Sequence, residues 1–329
     1  MNSKRIEWVD VSKVLVIWLM VLGHILEKTG LDAVVRNMIY SFHMPFFFFI
    51  SGLLYKNKTS SFWQFTIANV KSLLIPYVFL RLCSLTLLIP YILFTSLDVS
   101  TYLSDFVSGG GNSPGGASWF LLCFFCVKEL YYCIDKLTIG GKWILIVTIA
   151  AVSYMIPFRL FWNLDGAFMA IPFFFIGTQY KQFVFRFLSE LHLGKKSLFL
   201  MLFFLLFCFY VLSYLQGIVS IYDTVFGNYP LLFYPVAFLG IVIVLLFSNQ
   251  IRSNYYFEVF SKGTIVIMGL HGAIYPYIML LYRVLVRHWL SDPLNLLCEI
   301  VLSIIILLLL YYPIIWLQKY LPFFIGNRR

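Results

Sequence analysis

Three histidines stand in apolar surroundings: His24 in VLGHIL, His43 in SFHMPFFFF and His271 in GLHGAIYP. An unperturbed imidazole changes charge near working pH, so a neutral ring at such a point can take a proton from a hydroxyl. Asp10 and Lys13 precede His24 in the same stretch, and Arg81, Lys128 and Glu129 lie in later apolar segments. Ionisable side chains within long apolar runs are expensive to bury and are tied to function or to one another. Lys13 and His24 are eleven positions apart. On a helix that spacing is about 16 Å, or three turns, so both share one face. A cation at one end and a base deeper in would suit a long donor with an anionic head. Its phosphates would meet Lys13 and Lys71, and its reactive end would reach His24.

Each of these groups also has a structural reading. Arg81 and Glu129 fall at similar depths and are expected to pair. Lys128 is expected to run its stem toward the headgroups. His271 either hydrogen-bonds across a bundle or belongs to the site, and both readings stand. His24 and His43 lie on consecutive antiparallel segments joined by a short connection, which lets the imidazoles approach each other. No acidic or thiolate third ligand accompanies them, so no metal is expected. Cys123 and Cys126 have C-x-x-C spacing without a second pair. They and Cys83, Cys133, Cys208 and Cys298 read as small hydrophobes.

The elements that must hold these residues are membrane helices. The 329 residues are 61% hydrophobic and 12% charged, against about half and a quarter in a soluble domain. Apolar runs near the ~20 residues that cross a bilayer recur from end to end. Helices are expected near 9–28, 34–55, 73–95, 118–134, 143–158, 166–180, 197–215, 230–248, 264–282 and 294–316. The expectation is an all-α polytopic bundle of about ten spans, forming one domain over residues 1–329. The first apolar segment follows a basic start but lacks a small-residue cleavage site, so it is expected to remain as a helix. No internal repeat is evident, which disfavours repeat-built transporters.

With the N-terminus inside, 17 lysines and arginines fall on the inner side and 5 on the outer, and both termini are then cytoplasmic. The five outer ones are Lys28, Arg36, Arg159, Arg283 and Arg287; the inner set includes Lys4, Lys58, Arg328 and Arg329. Reversing the chain would invert the positive-inside bias. The net charge of +10 therefore reads as topology and contact with anionic membrane lipids, and no nucleic-acid partner is expected. The outer loop 96–117 contains SGGGNSPGG, which lacks the Lys-Ser/Thr of a phosphate loop and is expected to be a flexible linker or a lid. Asn57-Lys58-Thr59 matches a glycosylation acceptor by chance, on the inner side.

Six blocks run in one order along the chain: RIEWVDVSKVLVIWLMVLGH (5–24), FHMPFFFFISGLLYK (42–56), KSLLIPY (71–77), SWFLLCFFCVKELYY (118–132), IPFFFIGTQYK (171–181) and LHGAIYP (270–276). In them the chain resembles the integral-membrane acyltransferase family three, and within it the fucose 4-O-acetylase-like, polysaccharide O-acetyltransferase group. The first two blocks are the specific ones. The resemblance implies a bundle of about ten helices that moves acetyl from acetyl-CoA to sugar hydroxyls of exported glycans. The family's essential histidine corresponds to His24, and the basic residue eleven positions before it, commonly Arg, is Lys13. A motif of two arginines spaced by two at the start of helix three survives only as Lys71, with Leu74 in the other place. Lysine holds a phosphate as a point charge without the bidentate fork.

On that reading His24 is the general base, and His43 stabilises the oxyanion or orients the acceptor. Lys13 and Lys71 hold the donor. Asp10 holds Lys13, while Trp119 and His271 meet the substrate. Direct transfer and an acyl-histidine intermediate both stay open. No permanently bound cofactor is expected; acetyl-CoA is a substrate and the acceptor is a glycan or lipid-linked sugar. The expected location is a bacterial cell membrane. The rival expectation is a carrier or flippase for a lipid-linked sugar that performs no chemistry.

Overall fold

A computed structural model describes residues 5–56, 61–95, 99–111, 113, 116–156, 158–191 and 194–326. Each of the ten apolar ranges contains a helix. In chain order the helices are α1 (Glu7–Ile25), α2 (Gly30–Leu53), α3 (Phe62–Asn69), α4 (Ile75–Thr95), α5 (Val99–Ser108), α6 (Trp119–Ile134), α7 (Ile139–Met155), α8 (Leu164–Gln179), α9 (Lys181–Glu190), α10 (Lys195–Gln216), α11 (Phe233–Ser248), α12 (Tyr255–Lys262), α13 (Thr264–Leu285) and α14 (Asp292–Tyr320). No strand forms among the described residues; one isolated bridge joins Ser220 and Val225.

Among the described residues, eight helical stretches are long and apolar enough to cross a membrane. α7 and α8 have 17 and 16 residues, about 24–26 Å at helical rise against ~30 Å of hydrocarbon. α8 has no need to meet lipid. Its Ala167, Met169, Phe173 and Phe175 are fully buried, and it packs among α2, α6 and α7. The periphery is the inverse. α10 exposes Phe199, Phe203, Phe204 and Phe207, an apolar rim that water would not tolerate and lipid would. The chain is a multi-pass helical membrane protein.

α2 and α8 cross with their backbones in close approach. A Cβ on Gly52 would lie 2.1 Å from the Phe174 carbonyl oxygen, and one on Gly177 2.3 Å from that of Phe49. Only glycine lets the two backbones approach this far.

Three local features differ from the sequence expectation. The third helix begins eleven residues early, at Phe62. Ser61 Oγ accepts from Gln64 N–H and the Gln64 side chain accepts from Ser61 N–H, a capping box written in the sequence as Ser-x-x-Gln. A π turn, Val70–Leu74, then joins α3 to α4. Finally, the 96–117 segment is no linker where it is described. Half of it is α5, and its glycines are packed: a Cβ on Gly116 would fall 2.5 Å from the Gly111 backbone. The expectations placed on Lys4, Lys58, Arg328, Arg329, the Asn57–Thr59 triplet, and Asn112, Pro114 and Gly115 lie outside the described residues.

Candidate functional site

α1 and α2 are antiparallel neighbours, and α13 and α14 close against them. This arrangement sets His24, in the last turn of α1, beside the midpoint of α2. A cavity of about 270 Å³ opens there, with His24, His43, Tyr40, Arg36, Lys28 and Trp119 in its lining. Its floor is Met20, Met44 and Met268, and the loop residues Gly111, Ala117, Tyr222 and Asp223 complete the wall.

The two imidazoles share this cavity without touching. Tyr40 stands between them, its ring centroid 6.1 Å from that of His24 and 5.0 Å from that of His43. The nearer ring to His24 is that of His271, at 5.1 Å. His43 Nδ1 lies 2.8 Å from the Ile39 carbonyl and His271 Nδ1 2.8 Å from that of Ile267. A carbonyl only accepts, so each Nδ1 carries the proton and each neutral ring keeps its basic lone pair on Nε2. His271 is buried and its Nε2 has no partner among the described residues. It backs His24 rather than facing the cavity. Among the described residues His24 has no such carbonyl anchor, and its ring rests on its contacts with Tyr40 and His271.

Trp119 is 7% exposed and tilts against Tyr222 at 5.3 Å. Tyr222 Oη accepts from Gly111 N–H at 2.6 Å, so its own proton is available to the cavity. Burial raises the Tyr222 pKa above the ordinary phenol value, which keeps that donor at neutral pH. The loop carrying Gly111 is pinned elsewhere too. Ser113 N–H donates to Asp105 Oδ2 at 2.7 Å and Asn163 Nδ2 to the Gly109 carbonyl at 2.8 Å.

Arg81 and Glu129 do not pair. Arg81 is fully buried, lies 4.8 Å from the Tyr102 ring and sends Nη2 toward the Gly110 carbonyl at 3.4 Å. Glu129 instead accepts from Thr66 Oγ1 and Asn69 Nδ2, both at 2.7 Å. The π turn and the early start of α3 bring those two hydroxyl and amide groups onto α6, and the carboxylate takes the nearer donors. Asp10 does not hold Lys13 directly either. It takes Arg5 Nη2 at 2.5 Å and Nε at 2.9 Å, and Ser261 Oγ at 2.6 Å. Lys13 Nζ donates to the Ser261 carbonyl at 2.7 Å. Asp10 and Lys13 therefore meet through Ser261, which ties α1 to α12.

Lys71 is exposed in the π turn and joins neither Lys13 nor the histidine cavity. A separate cavity of about 430 Å³ opens between α2, α3 and α6, lined by Tyr55, Lys56, Asn69, Ser72, Phe124 and Lys128 among others. Lys128 lies 5.7 Å from the Phe124 ring and 5.8 Å from that of Phe65. Among the described residues no group of three or more His, Cys, Asp or Glu comes together as a metal site would require, and the six cysteines are free thiols.

Sequence reasoning passed over Tyr40, Tyr222, Asp223 and Lys56. Tyr40 had a usable signal: it lies three residues before His43, one helical turn away on the same face. Tyr222 had none, because its loop reaches the cavity only through tertiary folding.

A lipid-embedded helix bundle that keeps imidazoles, phenols and cations around a recess bears the cost of burying ionisable groups there, and such groups default to function. The chain belongs to the acyltransferase 3 family: the family's acyltransferase-domain profile matches residues 6–316. It is an acyltransferase of the membrane. Searches of curated proteins and of solved structures return no match.

Proposed function

We propose that this protein transfers an acetyl group from cytoplasmic acetyl-CoA to a sugar hydroxyl of an exported glycan, as in the polysaccharide O-acetyltransferase group. Its proposed site is a bacterial cell membrane, with both termini cytoplasmic. The observation that carries this reading is the grouping of His24, His43 and Trp119 around one recess in a chain of an acyltransferase family.

The sugar hydroxyl attacks the thioester carbonyl while His24 takes its proton. The C–S bond then breaks, the thiolate leaves and is protonated, and the sugar ester remains. General-base help of this kind is worth about two to four orders of magnitude. His43, held with Nδ1–H on Ile39, orients the acceptor through Nε2 in this scheme. Charge on the oxyanion falls to the Tyr222 phenol, whose proton is free. His271 steadies the His24 ring, and Trp119 offers the sugar a flat apolar face.

The donor approaches from the opposite side. Its phosphates are proposed to meet Lys56 and Lys128 in the 430 Å³ cavity, with Lys71 at its outer approach. Lys13 keeps ammonium N–H groups beyond the one given to Ser261. The methionine floor under His24 supports an acyl arm arriving from below, since unbranched thioether chains rearrange readily.

The test is acyl transfer by purified protein in nanodiscs, with radiolabelled acetyl-CoA and a panel of polysaccharides. The expected result is a labelled acceptor with wild type and none with His24→Ala, while Lys13→Ala raises the donor KM. Folded wild type that neither binds nor hydrolyses acetyl-CoA would refute the donor.

A further inference from the structure

We propose that the acceptor is an anionic sugar, and that Lys28, Arg36 and Arg283 bind its charge beside His24. This rests on the reading that the histidine cavity receives the acceptor.

The argument starts from scarcity. Only five cations fall on the face assigned as outer: Lys28, Arg36, Arg159, Arg283 and Arg287. The fold sets three of the five in cavities that His24 also lines, and the other two pair with acids of those cavities. The 270 Å³ cavity has Lys28 and Arg36 in its lining. A second cavity, of about 750 Å³, has Lys28 and Arg283. His24 and Lys28 belong to both, so the imidazole stands in the partition between the two spaces.

Each cavity also contains one acid, and each acid is already answered. Asp223 is paired with Arg159 at 3.0 Å, and Glu27 with Arg287 at 3.4 Å. Neither arginine lines a cavity. Lys28, Arg36 and Arg283 make no ion pair with a carboxylate among the described residues. Arg36 lies over the Tyr40 ring at 4.2 Å. One of its N–H groups is engaged by the Tyr40 hydroxyl, and a guanidinium has five N–H donors, so others remain for a carboxylate or phosphate. Cations serving only lipid headgroups would be spread around the perimeter. These three face recesses that meet at one base, where they draw in an anion and fix its position.

The anionic group has two possible sources with the same chemistry: a carboxylate on the sugar, or a phosphate joining the sugar to a lipid. The second cavity has the mixed lining that a phosphate and chain would need, with Ile25, Met279 and Leu280 beside Arg283.

The experiment is saturation-transfer NMR on the protein in phosphatidylcholine nanodiscs, with glucose, glucuronate and glucose 1-phosphate at equal millimolar concentration. At least one anion is expected to respond several-fold more strongly than glucose. Arg36→Gln should weaken glucuronate, or Arg283→Gln glucose 1-phosphate, by about tenfold, the scale of one charge-assisted hydrogen bond. The corresponding lysine variants should restore part of the loss. Response from glucuronate alone assigns the charge to the sugar; from glucose 1-phosphate alone, to the linkage. Glucose matching both anions, no response from either, or anion binding unchanged in both glutamine variants overturns the proposal. No acyl transfer is read, so failure here is separate from failure of the labelling assay. The wild-type comparison holds even where a variant misfolds.

Discussion

The two halves of α2 answer opposite demands. From Arg36 to Met44 the helix turns Arg36, Tyr40, His43 and Met44 toward a cavity. From Phe46 to Leu53 it is buried almost throughout, with Phe46, Phe48 and Leu53 fully enclosed and Gly52 against the backbone of α8. One half leaves space around polar atoms, and the other leaves no space for a methyl group. Rigid packing in the turns that follow fixes the backbone beneath His43, whose ring is held on the Ile39 carbonyl. On the proposed reading the contrast also separates what each half governs: chemistry in the first, folding in the second.

The largest expected effect tests the first half's side of that contrast. His24→Ala should lower transfer by about two to four orders of magnitude and leave the unfolding midpoint in place. If the midpoint fell with the activity, the cavity would be part of the structural core and the contrast would fail. Gly52→Ala tests the other side. Its new Cβ meets the Phe174 carbonyl oxygen, and overpacking should cost about 1–3 kcal/mol, read as a lower midpoint in detergent with activity per folded molecule unchanged.

Arg81→Met is expected to leave stability within about 1 kcal/mol, because an incompletely bonded buried charge gains little over a packed apolar chain. It should still speed hydrogen exchange at Gly110 and Gly111, whose loop loses its guanidinium contact. The smallest effect sharpens the packing comparison. Gly140, on α7, has nothing within 4 Å of its would-be Cβ, so Gly140→Ala should stabilise by up to about 1 kcal/mol. The same substitution would then have opposite signs at two glycines.

The architecture was legible because lipid imposes it locally. A run of apolar residues must close its own hydrogen bonds as a helix, whatever its neighbours are, and each of the ten ranges does so. The histidines were legible for a related reason: an ionisable ring in VLGHIL or GLHGAIYP has no purpose as lipid contact. What misled was distance. Arg81 and Glu129 looked like partners because depth along a helix can be counted and azimuth cannot. Thr66 and Asn69 took the carboxylate once a capping box and a π turn had moved them. SGGGNSPGG looked like a linker because glycine signals freedom locally, whereas here it permits Gly111 and Gly116 to touch.

Composition, span length and the placement of Lys13, His24 and His43 determined a membrane bundle with a histidine near one end of its first helix, since these follow from solvation and helical rise alone. Tertiary structure decided that Tyr40 stands between His24 and His43 and that His271 backs His24. It also decided that Asp223 and Glu27 are neutralised from outside the recesses they line. Those are contacts between helices and loops far apart in the chain, set by packing angles and loop paths that no single segment encodes.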